Sequence, residues 1–373
     1  MQMGGAQKVA LNLANRAIAQ KLSCTIISLD SHNAFASTDS RASAKILHLG
    51  YNDGLSIRNI ASIHRTRQRL RSLLEAIQPT VIHSHLFMSK AFLLGNVVPA
   101  HCAVVDTIHD NLPWWEQNDL RSLIMRTIDR RFHNKVASFS ACISQAVQKQ
   151  ASTILETRTD RLPLIYNFVE TPSAKMPKTP PANDKLRLLV ISRLQITKKG
   201  LDTALEITNL LRESIPAVHL TILGDGPDRT KLEKLSFLMG VANHVTFAGQ
   251  VQDVVPFLDE TDFLLMPSRW EGFGLTAIEA GMRGVPVIAS KVGGLAEVVL
   301  DNQTGRLCDP KDPHSFVRAI TETFTSPSLY YAYSQQAVHL TKHRFSPEAA
   351  FSRYLELYHR SLSFASTKGR LKH

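Results

Sequence analysis

The sequence predicts an α/β protein built from two doubly wound domains that face one another across a cleft. Three observations predict it. A chain of 373 residues is longer than one compact core of ordinary size encloses, so two cores are expected. Short runs rich in valine and isoleucine alternate with helical stretches nearly throughout, which is the pattern of parallel sheets with crossover helices. The alternation is interrupted once, by "ETPSAKMPKTPPANDK" (170–185), whose four prolines and few large apolar residues suit neither a helix nor an inner strand.

Taken in order, the strands expected before that interruption are "CTIISL" (24–29), "KILHLG" (45–50), "TVIHSH" (80–85), "AVVDTIH" (103–109), "SACIS" (140–144) and "LPLIYN" (162–167). They define a first domain over 1–168, with 169–185 as linker. Beyond it "RLLVIS" (187–192), "HLTILG" (219–224), "VTFAG" (245–249), "FLLMPS" (263–268) and "PVIAS" (286–290) define a second domain over 186–345. The segment 346–373 is a last helix and a basic tail; the helix could close the second domain or cross back to the first.

Hydrophobic residues at 44% and charged residues at 20% exclude wholesale disorder. A formal net charge of +11 calls for an anionic partner, whether nucleic acid, an acidic membrane surface or a phosphorylated small molecule. Cys24, Cys102, Cys142 and Cys308 are scattered without metal-ligand spacing and read as thiols of a reducing compartment. The N-terminus lacks a signal peptide's apolar core, and the run 91–105 is interrupted by Gly95, Asn96 and Pro99. A cytoplasmic protein is expected, peripheral on the inner face of a membrane if it meets one.

The chemistry concentrates in "SRWEGFGLTAIEAGMRGVPVIAS" (268–290). Gly272 and Gly274 mark a turn from strand to helix, where unpaired backbone N–H groups and the helix dipole attract phosphate and glycine lets it approach. Glu271 would repel phosphate, but its carboxylate can accept hydrogen bonds from two hydroxyls of a sugar ring. Glu279, about two helical turns on, could serve a second polyol such as ribose. In "ISRLQITKKGLD", Arg193 directly follows a strand and Lys199 precedes Gly200; both can reach a diphosphate and stabilise it as a leaving group without an obligatory metal. "LGDGPDRTKLEKL" adds a turn at the same edge, with Pro227 opening a helix.

Together "SRLQITKKG", "LGDGP", "VTFAGQV" and "PSRWEGFGLTAIEAGMRGVPVIASKVGGLAEVV" resemble the donor domain of the family 4 retaining glycosyltransferases, in both block order and the Glu271–Glu279 spacing. The resemblance implies the GT-B fold of two Rossmann-like domains. It implies that Arg193 and Lys199 hold the donor diphosphate, Glu271 the transferred sugar and Glu279 the ribose. Gly272, Phe273, Gly274 and Leu275 would form the donor-binding turn, and Gly249 and Val251 would line the base. In the first domain, "MGGAQKVALNLA" resembles the family's glycine loop, placing Gly4 and Gly5 toward the donor, and "TIHD" places His109 where the family directs a histidine at the donor sugar. One departure stands out: only Met1 to Met3 precede the glycine loop, so the first domain is expected to lack its usual central first strand.

The implied activity is retaining transfer of a hexosyl or N-acetylhexosaminyl group from a nucleoside diphosphate sugar, UDP by frequency, to a hydroxyl acceptor. A donor phosphate oxygen would assist the acceptor's proton loss, with no protein nucleophile. A lipid-linked glycan in cell-surface polysaccharide or lipopolysaccharide synthesis is the acceptor class expected; no metal or other cofactor is, and no nucleic-acid motif is present. The alternative is a truncated, non-catalytic homologue that binds nucleotide sugar. A nicotinamide-dependent oxidoreductase would need a G-x-G-x-x-G turn with a following acidic residue, and none is convincing. His83 and His85 share a strand face with no third ligand evident, and "DETD" (259–262) reads as a surface cap rather than a metal site. Trp114 and Trp115 stack on an acceptor sugar or pack their loop. The five arginines and helically spaced apolar residues of 56–78 are either a solvated face or an attraction to an anionic bilayer.

Overall fold

The computed structural model describes residues 4–30, 44–52, 59–110, 115, 117, 119–170, 177–178 and 185–367. The chain divides into two compact units: Met1–Asn167 with Pro347–His373, and Phe168–Ser346.

The first unit holds strands β1 (Thr25–Ser28), β2 (Lys45–His48), β3 (Val81–His85), β4 (Ala103–Ile108) and β5 (Phe139–Cys142), with helices α1 (Gly5–Ala19), α2 (Ile60–Ile77), α3 (Leu86–Leu93), α4 (Leu120–Arg131) and α5 (Gln145–Leu155). Every pairing is parallel, and the strands form two separate sheets, β1-β2 and β3-β4-β5; no described strand joins β1 to β3. Strand β4 is buried at all of its positions, which is why "AVVDTI" reads as a continuous apolar run broken by one aspartate. The strand expected at 162–167 is a single bridge, Leu164 to Cys142. That peripheral place suits Pro163, which has no N–H to give a further neighbour.

The second unit holds β6 (Lys185–Ile191), β7 (Ala217–Leu223), β8 (Val245–Gly249), β9 (Phe263–Met266), β10 (Val287–Ser290) and β11 (Gly305–Cys308). Its helices are α6 (Ile196–Lys199), α7 (Leu201–Ser214), α8 (Arg229–Leu238), α9 (Val255–Glu260), α10 (Leu275–Met282), α11 (Leu295–Val298), α12 (Pro313–Phe324) and α13 (Pro327–Arg344). The six strands form one parallel sheet in the order β11-β10-β9-β6-β7-β8. Chain order therefore reverses between β6 and β9, and a doubly wound sheet binds ligands beyond the carboxyl ends of its strands at such a switch point. Beneath it a core of Leu188, Val190, Ile222, Phe263 and Leu265 is shut from solvent.

Part of the proline-rich stretch packs onto the second unit. Lys178 Nζ donates to the carbonyls of Leu258, Asp259 and Thr261 at 2.7, 2.9 and 2.6 Å. A cation there meets the negative end of α9. The last helix, α14 (Pro347–Thr367), belongs to the first unit and packs against β4.

Candidate active site

Three loops leave the carboxyl edge of the second sheet beside the switch point, after β6, β7 and β9, and backbone hydrogen bonds knit them together. Leu194 N–H donates to the Asp225 carbonyl at 3.0 Å, and Asp228 N–H returns to the Leu194 carbonyl at 3.2 Å. The Asp228 carboxylate accepts from Ile196 N–H at 3.0 Å, at the start of α6, and from Lys231 at 3.1 Å. These two hydrogen bonds hold its pKa below the ordinary carboxylate range. On the other side, Arg269 and Trp270 N–H groups donate to the Lys198 carbonyl, while the Arg269 guanidinium reaches the Ile196 carbonyl and the Asp202 carboxylate, both at 2.7 Å. The short helix α6 is thus held from both flanks.

That arrangement delivers the two charges singled out by the sequence to one point. Lys199 Nζ pairs with Glu271 Oε2 at 2.5 Å, and both side chains keep part of their surface open, at 20% and 16%. An ammonium has three donors and a carboxylate several acceptor sites, so the pair can keep its mutual bond and still take ligand groups. Arg193 stands exposed just past β6. Glu279 lies on α10 and is buried at 5% exposure.

The turn between Glu271 and α10 is sterically defined. Gly274 caps α10 with φ +104°, a left-handed conformation that favours glycine, and a Cβ there would lie 2.7 Å from the Leu295 side chain. Gly294 N–H donates to the Glu271 carbonyl at 2.9 Å, so the "KVGG" loop supports the turn from below. Phe273 points inward and packs edge-on against Phe345, with ring centroids 5.6 Å apart. Its side chain anchors the turn, while Leu275 is half-buried at the first position of the helix. Gly249 ends β8 with its carbonyl bound by Gly224 N–H at 2.7 Å, and Val251 follows, half-buried.

In the first unit Gly4 is the N-cap of α1 and Gly5 its first residue, both exposed. His109 directly follows β4, and its Nε2 meets His85 Nδ1 at 2.8 Å. Burial, reinforced by the neighbouring positive charge of Lys90, lowers the pKa of His85 to about 4. Burial, then the His85 and Lys90 charges, hold His109 well below the usual histidine range. With both rings neutral one donates and the other accepts, so the tautomer of His85 sets that of His109. His83 hydrogen-bonds Tyr358 through Nδ1 and Thr107 through Nε2, both at 2.8 Å, and Thr107 meets Tyr354 at 3.2 Å. These bonds engage both its ring nitrogens, and among the described residues no cluster of three or more His, Cys, Asp or Glu could hold a metal ion. In the "DETD" segment Asp259 pairs with Arg283 and Asp262 with Arg187. Trp114 lies outside the described residues; Trp115 is buried and donates from Nε1 to Asp129 Oδ2 at 3.1 Å.

The sequence did not disclose a second constellation beside His109. Lys90, Asp106, Asp129 and His133 are all essentially sealed from solvent. Lys90 Nζ lies 3.1 Å from Asp106 and 3.7 Å from Asp129, with His133 Nε2 at 3.3 Å, and Ser84 donates to Asp106 at 2.6 Å. Burial pushes the Lys90 ammonium down, but the two carboxylates more than offset it and leave it above its usual range. The available signal was Asp106 itself, an aspartate in the middle of a buried strand, which must find a partner. Arg269, which fixes α6, was also missed; nothing in "PSRWEG" distinguishes it from a surface arginine.

Two family models match the chain: glycosyltransferase family 4 over residues 3–172 and glycosyl transferases group 1 over residues 173–339. The lipopolysaccharide core biosynthesis glycosyltransferase LpsE of Rhizobium meliloti (strain 1021) is 33% identical over 162 residues, covering 43% of this chain and 46% of that protein. The N-acetyl-alpha-D-glucosaminyl L-malate synthase of Bacillus anthracis is 23% identical over 291 residues, covering 75% and 74%. The chain spans less than half the length of the first curated relatives it matches. Among solved structures, Anabaena HepE in complex with UDP and glucose superposes with a TM-score of 0.79 at 19% identity, over 95% of this chain and 96% of that one.

Proposed function

Because this chain belongs to the family 4, group 1 glycosyltransferases, whose models together match residues 3–339, we propose that it transfers a hexosyl or N-acetylhexosaminyl group from a nucleoside diphosphate sugar to a hydroxyl acceptor, with retention at the anomeric carbon. The observation that carries the reading is the Lys199–Glu271 pair, partly open to solvent, in which the last residue of the tied helix α6 meets the loop after β9 beside the switch point of the second sheet.

A diphosphate sugar has charge in its middle and hydroxyls at both ends, and the residues divide accordingly. Lys199 and Arg193 bind the diphosphate and stabilise it as the glycosidic bond breaks, so that fixed cations do the work a metal would otherwise do. Glu271 accepts hydrogen bonds from hydroxyls of the transferred sugar and Glu279 from the ribose. Gly272, Phe273, Gly274 and Leu275 supply backbone to the phosphates, and Gly249 and Val251 border the base. His109 contributes from its own unit a neutral imidazole, able to hydrogen-bond a sugar hydroxyl without adding charge; Gly4 and Gly5 leave the first helix open to a ligand. The acceptor hydroxyl attacks on the face the nucleotide leaves, and a donor phosphate oxygen takes its proton, with no covalent enzyme intermediate.

UDP is the favoured carrier, supported by the nucleotide bound to HepE. A lipid-linked glycan in lipopolysaccharide or related surface-polysaccharide synthesis is the favoured acceptor, supported by the name of LpsE and by the net charge of +11. Among the described residues no helix is long and apolar enough to cross a membrane; we place the enzyme in the cytoplasm, peripheral on the inner face of the membrane.

The test is calorimetric titration with UDP and GDP without added metal, for wild type and Arg193→Ala. Tight binding of one nucleotide that weakens in the variant supports the donor site and names the base; binding of neither overturns it. A second reading, a homologue that binds donor without turnover, is favoured by the division of the first unit's strands into two sheets. Donor binding without transfer or hydrolysis of any nucleotide sugar would support that reading instead.

A further inference from the structure

Strand β3 ends in His83 and His85, and His109 follows its parallel neighbour β4, so three imidazoles collect at the carboxyl ends of two adjacent strands. They stand in file, with ring centroids 4.2 Å apart between His83 and His85 and 5.2 Å apart between His85 and His109. His83 is spent within the unit, both its nitrogens being bonded to Tyr358 and Thr107. The other two rings are not. Nδ1 of His85 meets Nε2 of His109 at 2.8 Å, both rings are half-buried, and no described residue bonds Nε2 of His85 or Nδ1 of His109. A purely architectural pair would be sealed and fully bonded, as the cluster around Lys90 is.

Counting protons sharpens the picture. Two neutral imidazoles carry one N–H each, and one of these lies in the shared bond. If His85 donates from Nδ1, His109 must hold its proton on Nδ1; if His109 donates from Nε2, His85 must hold its proton on Nε2. The two rings are therefore obliged to take the same tautomer. From this geometry we infer that His85 is a positioning residue for His109: it occupies Nε2 of that ring, fixes its tautomer and leaves Nδ1 as the atom that meets a hydroxyl of the sugar ligand. The inference rests on the reading of His109 as a ligand contact.

The backbone beside His85 supports the same role. Leu86, the next residue, has φ +70°, a left-handed conformation that is costly for a leucine. Its side chain is 46% exposed, so packing gives little in return. The turn is held instead by Ser89, whose hydroxyl reaches the His85 carbonyl at 2.6 Å and the Leu86 carbonyl at 2.8 Å. Strain kept at an exposed residue is explained by what it fixes next door, here the direction in which the His85 ring leaves the strand. The stacked and immobilised His83 ring closes the other side. The buried Lys90 ammonium, whose charge disfavours a further proton on either ring, keeps the pair neutral.

The experiment is nitrogen NMR of the full chain labelled at histidine, at about pH 8, well above the ordinary histidine pKa. His109→Gln and His85→Leu assign the two rings by the signals they remove. Wild type should show both rings neutral and in the same tautomer. His85→Leu should release His109 into a mixture of tautomers, and His85→Asn, whose side-chain amide can donate or accept near the place of Nδ1, should restore a single one. Hydrolysis of UDP-glucose by the same variants reads the consequence. His85→Leu should lower kcat about tenfold or more with KM little changed, the mark of a misplaced group rather than of lost binding. His85→Asn should recover most of that loss, while UDP affinity, set by the proposed site of the second unit, stays at the wild-type value in both. The inference is overturned if the two rings hold opposite tautomers, if His85→Leu leaves the tautomer of His109 unchanged, or if His85→Asn loses as much turnover as His85→Leu. Absence of UDP binding by wild type would sink the donor-site reading instead, and the tautomers would then decide the role of His85 alone.

Discussion

At the carboxyl edge of the second sheet the charged groups are partly open: Lys199 and Glu271 keep 20% and 16% of their surface, and Arg193 is exposed. Beside β4 in the first unit the charges are shut away, with Lys90 at 2% and Asp106 and Asp129 at 0%. Both places hold a lysine against carboxylates, yet they cannot serve the same end. A pair that keeps some contact with solvent is cheaper to rearrange than a sealed one and can admit a diphosphate. A sealed triad has lost its water, and each member depends on the others, so it fixes architecture around His85 and His109 rather than meeting ligand. Exposure, more than residue type, separates the proposed binding pair from the scaffold here.

Removing the cation from each place should therefore give opposite signatures. Lys90→Met fills nearly the same volume but leaves two carboxylates buried without their cation, and is expected to cost about 3–5 kcal/mol of stability. Urea unfolding checks it, and a loss below about 1 kcal/mol would mean that the carboxylates are not held by Lys90. Lys199→Ala should cost about 1 kcal/mol or less of stability, since the pair is partly solvated. If the proposed transfer is right, it should lower turnover about 10²- to 10³-fold, the loss seen when one fixed donor to a developing charge is removed. A destabilised Lys199→Ala or an inactive but fully stable Lys90→Met would erase the distinction.

How much of this was legible follows the same division. The second sheet was readable strand by strand through β10, because its strands are continuous apolar runs ending in glycine or a charged turn, and its site residues lie in local motifs such as "EGFG" and "TKKG". The pairing of Lys199 with Glu271, 72 residues apart, was not readable as a contact, although the chemistry assigned to each pointed to a common ligand. In the first unit β3 and β4 were evident, but Lys90, Asp106, Asp129 and His133 come from four separate elements. Lys90 and Asp129 in particular look like the solvent face of an ordinary helix until the fold turns them inward. The outward face of α4 is hidden for the converse reason: apolar residues at helical spacing, such as Leu120, Leu123 and Ile124, ordinarily face a core, and only the polar anchor at Asp129 reverses them. For Trp115 the residue type allows stacking on a sugar or packing of its loop, and its bond to Asp129 places it in the loop's packing.

Acid should expose the contrast next. In the folded chain burial lowers His83, His85, His109 and His133, whereas in the unfolded chain each returns to about 6.5. Below about pH 6.5 the unfolded state binds protons that the folded state refuses, so stability falls as pH falls, by up to about 1.4 kcal/mol per pH unit for each histidine. For His85 the decline runs to about pH 4, where the folded ring also protonates. The second unit's edge has the same sense in a lower window: Asp228 is held below its ordinary value, so its contribution is complete above the usual carboxylate pKa and is lost only as pH drops through the depressed one. Between pH 6.5 and about 4 the first unit should lose hydrogen-exchange protection before the second does; simultaneous loss, or a second unit that opens first, contradicts the assignment of the buried histidines.

The smallest effect expected is the most specific to the site. Asp228→Ala removes the carboxylate that accepts from Ile196 N–H at the start of α6, a small loss of the N-cap kind. The stability change alone would say little, since Asp228 touches no proposed ligand group. Its consequence should appear in nucleotide affinity, because α6 is only four residues long and carries Lys199 at its end. With one flank released, the helix remains tied by the loop after β9, through the Arg269 side chain and the Arg269 and Trp270 N–H groups on the Lys198 carbonyl, and Lys199 is held less firmly when a diphosphate binds. A several-fold weaker UDP affinity is expected, about a third to two-thirds of the 1.4 kcal/mol that a tenfold change represents, with the sharper loss in Arg269→Ala, which removes both the Ile196 and Asp202 contacts. If Asp228→Ala leaves UDP affinity unchanged while Arg269→Ala lowers it, the loop after β9 holds α6 and the loop after β7 is only its neighbour. If neither variant moves it, Lys199 needs no preorganisation by either flank.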